Sequence, residues 1–215
     1  MRRPDEFLLV ILVGPSGSGK STLARRLLQE FPELTLSVSY TTRAARIGEE
    51  DGREYHFVDR AKFMRMVDHG DFLEWAEVHG NLYGTGAERV EAARETHGGM
   101  VFDVDYQGAR QIRARTDNVI PVFILPPSMT ELERRLRARA TESDDAIAAR
   151  LKKATGEIEH YGFCDYLVVN DTLDCAYDEL RSIIIAERAK RRRRAMLAET
   201  LLGSGCASGR AGRSK

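Results

Sequence analysis

The chain has 215 residues, of which 42% are hydrophobic, and its 33 basic side chains are balanced by 33 acidic ones. That length can bury a sizeable core with smaller inserted lobes, and that composition describes an ordinary soluble protein rather than a disordered or strongly nucleic-acid-directed one. Cys164, Cys175 and Cys206 are odd in number and form no CxxC pair, which indicates neither a zinc site nor a disulfide framework, and points to a reducing compartment.

Near the N-terminus, Phe7 to Val13 is an uninterrupted apolar run, the pattern of a parallel strand covered on both faces. It is too short for a signal-peptide core followed by a cleavage site or for a membrane span, and it ends directly in Gly14-Pro15-Ser16-Gly17-Ser18-Gly19-Lys20-Ser21. That segment fits G-x-x-x-x-G-K-[ST], and helical spacing through Leu23, Leu27 and Leu28 follows it, so the motif stands between a strand and a helix as its mechanism requires. A loop from Gly14 to Gly19 can turn successive N–H groups inward at a phosphate, and the helix N-terminus adds partial positive charge there. Lys20 is expected to reach the β- and γ-phosphates of a nucleoside triphosphate, since ATPases, GTPases and small-molecule kinases all use this loop. The Ser21 hydroxyl is expected to ligate Mg²⁺, and Thr22 to add a phosphate contact.

Further along, residues 37–86 change texture: Glu54 to Phe57 and Phe72 to Val78 are short aromatic and polar segments that predict half-buried antiparallel strands. Met100 to Val104, Val119 to Leu125 and Tyr166 to Val169 return to buried-strand character between helical stretches. Asp103, near the end of its run, resembles the acid that P-loop enzymes hold near Mg²⁺, directly or indirectly. Arg134 to Arg150 is charged and predicts an exposed lid; Arg188 to Arg194 predicts the solvated end of the last helix, with no aromatic residues interleaved to stack on bases. The predicted fold is α/β: a P-loop NTPase-type three-layer core with a parallel sheet in 1–36, 87–133 and 151–196. A mixed α/β lobe is inserted at 37–86, a helical lid at 134–150, and 197–215 forms a C-terminal tail without regular structure.

Two arginines, a tyrosine and several small hydroxyls in Ser37 to Phe57, followed by Phe72 to Ala76, Gly80 to Thr85, Asp103 to Gly108, Pro126 to Ser128 and Val169 to Asp171, resemble guanylate kinases from about Phe7 to Ala186. The resemblance implies that Arg43, Arg46, Tyr55 and Tyr83 hold the phosphate of GMP, while Ser39, Glu74, Thr85 and Asp105 read its guanine. It also implies lid arginines Arg135, Arg139 and Arg150 acting with Lys20 on the transferring group, and Asn170 and Asp171 near the ATP base. The implied reaction is transfer of the γ-phosphoryl group of Mg-ATP to GMP or dGMP in cytoplasmic purine metabolism, with no nucleic-acid or membrane partner. Ala138 and Ala140 depart from the family's frequent Gly-Arg-Gly, and Ala45 replaces a frequent proline. A protein-binding module on the same fold would degrade the phosphate loop, which is intact here; a ribose-bisphosphate kinase would have no use for Glu74 and Asp105.

Overall fold

The computed structural model describes residues 7–78, 80–138 and 144–207, leaving out the side chains of 204–207. Strand β1 (Leu8–Val13) is buried at every position and lies at the centre of a parallel sheet ordered β2-β7-β1-β8-β9, where β2 is Leu34–Leu36, β7 Gly99–Asp103, β8 Val119–Leu125 and β9 Tyr166–Val169. Its side chains alternate between two cores, as the two-residue period of a strand dictates. Leu8, Val10 and Leu12 pack with Leu23 and Leu27 of α1 (Lys20–Glu30) and Leu180 and Ile184 of α7 (Leu173–Ala189). On the other face, Leu9, Ile11 and Val13 meet Val90 and Ala93 of α3 (Ala87–Thr96) and Ala109 and Ile112 of α4 (Tyr106–Arg115). The result is the expected three-layer α/β core, with each fully buried aliphatic side chain contributing about 1.5–3 kcal/mol. The register Leu12↔Asp103 sets Asp103 beside the end of β1, where the phosphate loop begins.

The segment between the first and second core pieces folds on a second sheet, ordered β4-β3-β6-β5, from β3 (Tyr40–Thr41), β4 (His56–Phe57), β5 (Phe72–Val78) and β6 (Asn81–Gly86). Phe63 of α2 (Arg60–His69) is wholly buried against Phe72, with ring centroids 4.5 Å apart. One expectation is corrected here: β4 pairs parallel to β3, although β3–β6 and β6–β5 are antiparallel. The excursion from 42 to 55 is long enough to return the chain to the same end of the sheet, as a parallel pair requires.

The charged segment after β8 lies in two longer helices, α5 (Met129–Ala138) and α6 (Asp144–Ile158), joined by a small core of Leu132, Leu136, Ala154 and Leu151. Arg139 and Ala140, expected in the lid, lie outside the described residues. At the C-terminal end the structure differs from the expected tail, because α8 spans Arg191–Ala207. Its first half is rich in helix formers such as Ala, Leu, Met and Glu. Arg193 is not solvated as expected of the basic run: only 5% exposed, it donates to the Phe7 and Asn118 carbonyls, both at 3.0 Å, and so fastens α8 beneath β1. Among the described residues, no helix is long and apolar enough to cross a membrane.

Candidate active site

The loop after β1 is built for close approach. A Cβ on Gly14 (φ 141°) would lie 2.3 Å from the Ile124 carbonyl oxygen, and one on Gly19 (φ 99°) 2.1 Å from Asn170 Nδ2, so glycine is required at both positions. The Lys20 ammonium donates to the carbonyls of Gly14 (2.6 Å) and Pro15 (3.2 Å), which holds it over the concave side of the loop. From the end of β9, the buried Asn170 amide donates to the Ser18 carbonyl at 2.7 Å. Its side chain therefore braces the phosphate loop, whereas the neighbouring Asp171 side chain is exposed. Ser21 Oγ donates to Asp103 Oδ2 at 2.6 Å. A hydroxyl and a carboxylate at this spot are the hard oxygen donors that Mg²⁺ takes, and no cluster of three or more His, Cys, Asp or Glu competes among the described residues. Such a sparse donor set fits an ion that keeps several waters and shares phosphate oxygens.

One cleft joins this loop to the second sheet. Gly14, Ser16, Lys20 and Asp103 line it from the core sheet and its phosphate loop, Ser39, Arg46, Tyr55, Glu74 and Tyr83 from the inserted lobe, with Asp105 at the start of α4 and Arg150 of α6 also on its wall. Glu74 is 4% exposed. Its Oε1 accepts from Thr85 Oγ1 at 2.7 Å, and Thr85 Oγ1 in turn lies 3.4 Å from Ser39 Oγ. Burial, followed by the nearby Asp105 carboxylate, pushes the Glu74 carboxyl up to about 7 against the pull of the Thr85 hydrogen bond. Asp105 itself is the N-cap of α4, its Oδ1 accepting from the Gly108 N–H at 2.9 Å.

Arg43 lies over the rings of Tyr55 and Phe57, 5.3 and 5.8 Å from their centroids, and pairs with Glu49 at 2.9 Å. Glu49 also accepts from the Arg46 backbone N–H at 2.8 Å, so one carboxylate orders the turn that carries both expected phosphate arginines. Arg43 holds the Glu49 carboxyl below the usual range, and burial raises the Tyr55 phenol. Arg135 is tied to the end of β9: it donates to the carbonyls of Asn170 (2.9 Å) and Asp171 (3.2 Å) and shares Glu131 with Arg134, the two arginines holding that carboxyl at about 2. Thr22 sits in the first turn of α1, its N–H bonded to the Gly19 carbonyl.

A sequence profile of guanylate kinases matches residues 7–187. The chain belongs to the guanylate kinase family. It is 51% identical over 187 residues to the guanylate kinase of Rhodopseudomonas palustris (strain HaA2), a match covering 86% of this chain and 85% of that one. It is 50% identical to the guanylate kinase of Aromatoleum aromaticum (strain EbN1), covering 85% of this chain and 89% of the relative. The crystal structure of guanylate kinase from Anaplasma phagocytophilum superposes with a TM-score of 0.72 at 36% identity, over 88% of this chain and 90% of that chain. Guanylate kinases are nucleoside monophosphate kinases, and this chain is a family member across both sheets and α5 to α7. The cleft also contains residues that sequence reasoning passed over. Lys153 and Glu157, paired at 3.4 Å, line it from α6 on the same face as Arg150, at helical offsets of three and seven that mark one face.

Proposed function

We propose that the protein transfers the γ-phosphoryl group of Mg-ATP to GMP, with dGMP as a second acceptor, giving ADP and GDP in the purine metabolism of the cytoplasm. The observation that carries this reading is Glu74, a buried carboxylate on the wall of the same cleft that the phosphate loop lines. A carboxylate accepts hydrogen bonds and cannot donate them. Guanine offers donors at N1 and at its exocyclic amine to Glu74 and Asp105, whereas adenine would meet Glu74 with an unprotonated N1. Sites of this kind reject the wrong base by about 10⁴-fold or more, because buried polar atoms are left unpaired.

In this reading Arg43, Arg46, Tyr55 and Tyr83 hold the GMP phosphate, while Ser39 and Thr85 complete the base pocket. Lys20 and the arginines Arg135, Arg139 and Arg150 draw two mutually repelling phosphates into line, with Asn170 and Asp171 flanking the ATP side. A non-bridging oxygen of the GMP phosphate forms its bond to the γ-phosphorus as the bond to the β–γ bridging oxygen breaks, and ADP leaves with that oxygen. The acceptor's second ionisation lies near pH 6, so no general base is needed at neutral pH. When bound through Ser21, with Asp103 behind it, Mg²⁺ neutralises charge on the β- and γ-phosphate oxygens. The lobe at 37–86 and the lid at 134–150 close over the cleft and keep water from the γ-phosphate.

The test is ADP formation from Mg-ATP with GMP, dGMP, AMP, CMP, UMP, ribose 1,5-bisphosphate or no acceptor, with Lys20→Ala as the blank. Turnover with GMP and dGMP alone, abolished in the blank, supports the proposal. Preference for another acceptor overturns the guanine assignment, and binding of GMP without turnover overturns the kinase assignment in favour of a protein-binding module.

A further inference from the structure

Strand β5 is the outer strand of the second sheet, so one of its edges has no strand partner. That edge is held by side chains of α4. Gln111 makes a two-way contact with the backbone of Trp75: its Oε1 accepts from the Trp75 N–H at 3.2 Å and its Nε2 donates to the Trp75 carbonyl at 2.7 Å. Four residues on, Arg115 Nη1 donates to the carbonyls of Phe72 (2.9 Å) and Leu73 (2.7 Å). Three residues before Gln111, α4 has Gly108, where a Cβ would lie 2.4 Å from Glu74 Oε2. Positions 108, 111 and 115 form one stripe of the helix. Along it, the gap at Gly108 faces the Glu74 carboxylate, and the two polar side chains grip β5 on either side of Glu74.

The grip coincides with a break in the strand. The β5–β6 register shifts between Phe72 and Glu74, which makes Leu73 the extra residue of a β-bulge. In a regular strand Phe72 and Glu74 would share a face, with Trp75 on the other. Here Phe72 and Trp75 both pack on Phe63, with centroids 4.5 and 6.5 Å away, whereas Glu74, Ala76 and Val78 line the cleft. The bulge thus changes the phase of the strand. Without it, Glu74 would turn into the aromatic core of the lobe and Trp75 would turn into the cleft.

We propose that Gly108, Gln111 and Arg115 are positioning residues for acceptor recognition: one stripe of α4 clamps the bulged edge of β5 and fixes the face and depth at which Glu74 meets the acceptor base. This rests on the assignment of Glu74 to guanine. The same helix carries Asp105 at its N-cap, so the clamp also sets the spacing between the two carboxylates that receive the base's donors.

Trp75 is the single tryptophan of the chain and sits within the clamp, so its emission reports on β5 directly. The experiment follows Trp75 fluorescence during GMP titration, together with the KM for GMP and for ATP, in full-length protein. The variants are Gln111→Ala, Arg115→Met, Arg115→Lys, Gly108→Ala and Glu74→Gln. For Gln111→Ala and Arg115→Met we expect GMP affinity to fall by about 5- to 30-fold, the loss of one or two hydrogen bonds to the β5 backbone. The KM for ATP should stay unchanged and the emission of the unliganded protein should shift. Arg115→Lys, which keeps a donor, should recover most of the affinity. Gly108→Ala separates positioning from folding. Alanine favours the helix by about 1 kcal/mol, which offsets part of the cost of moving Glu74 aside, so the melting temperature should stay near that of wild type while GMP affinity falls.

If the α4 variants, folded and melting as wild type does, bind GMP normally while Glu74→Gln loses it, the clamp is overturned and the guanine assignment stands. If Glu74→Gln itself binds GMP normally, both are overturned.

Discussion

Thr85 Oγ1 donates to Glu74 Oε1 across 2.7 Å, yet that hydrogen bond is outweighed by burial and by Asp105, and the Glu74 carboxyl is raised to about 7. The unliganded protein therefore keeps a carboxylate in the state least able to stay ionised, at the place where a ligand with paired donors relieves it. Under the proposed assignment, acceptor recognition and acceptor-site instability come from the same side chain.

A pH dependence of binding follows. Glu74 must be ionised to accept from guanine, and below about 7 it is increasingly protonated. We expect the KM for GMP to rise as pH falls from about 8 to about 6.5, by up to about tenfold per pH unit once below the carboxyl's pKa, with the KM for ATP flat. Initial rates across that range check this, and Glu74→Gln should remove the trend.

Stability should move in the opposite sense. A carboxyl whose pKa is raised on folding binds its proton more tightly in the native state, so its contribution is fully present below about 4.5 and lost as pH rises through about 7. Glu74→Gln removes that loss. We expect the variant to be more stable than wild type near pH 8, by up to about 3 kcal/mol, and the difference to vanish near pH 4.5. Urea denaturation at the two pH values measures it.

The Ser21–Asp103 contact predicts a metal phenotype. Asp103→Asn keeps the shape but removes the charge behind the Ser21 hydroxyl. The Mg²⁺ concentration for half-maximal activity should rise by about 10- to 100-fold, the usual effect of losing a group that orients a metal ligand. Removing Mg²⁺ with a chelator should abolish turnover in wild type without changing its melting temperature.

Arg193 is a buried cation far along the chain from the cleft, and it bridges the Phe7 and Asn118 carbonyls. Arg193→Met leaves two carbonyls without those donors and should cost about 2–4 kcal/mol of stability. The KM values for GMP and ATP should be unaffected, which a thermal melt beside steady-state kinetics would show.

Much of this was legible in the sequence where the cause is local. The apolar run into Gly14 to Ser21 specifies a buried strand, a phosphate loop and a helix start from neighbouring residues alone, and the structure has all three. What the sequence hides is set by distant partners. The parallel pairing of β4 depends on where the excursion from 42 to 55 returns. The face on which Glu74 lies depends on a bulge at Leu73 held by Arg115, and strict alternation would have placed it with Phe72. Resemblance puts Asn170 near the ATP base, but its brace on Ser18 shows only once the two segments are brought together, and Arg193 reads as a solvated charge until its carbonyl partners are in view. Helix α8 has no apolar face to announce it, since Met196, Leu197, Leu201 and Leu202 are all exposed.

Phosphorus NMR of the purified protein with Mg-ATP and GMP would follow phosphoryl transfer to a guanine nucleotide atom by atom. We expect the resonances of ADP and GDP to grow in equal amounts, with no inorganic phosphate, and AMP in place of GMP to give neither. Release of inorganic phosphate without GDP, or equal conversion of AMP, would contradict transfer to a guanine nucleotide.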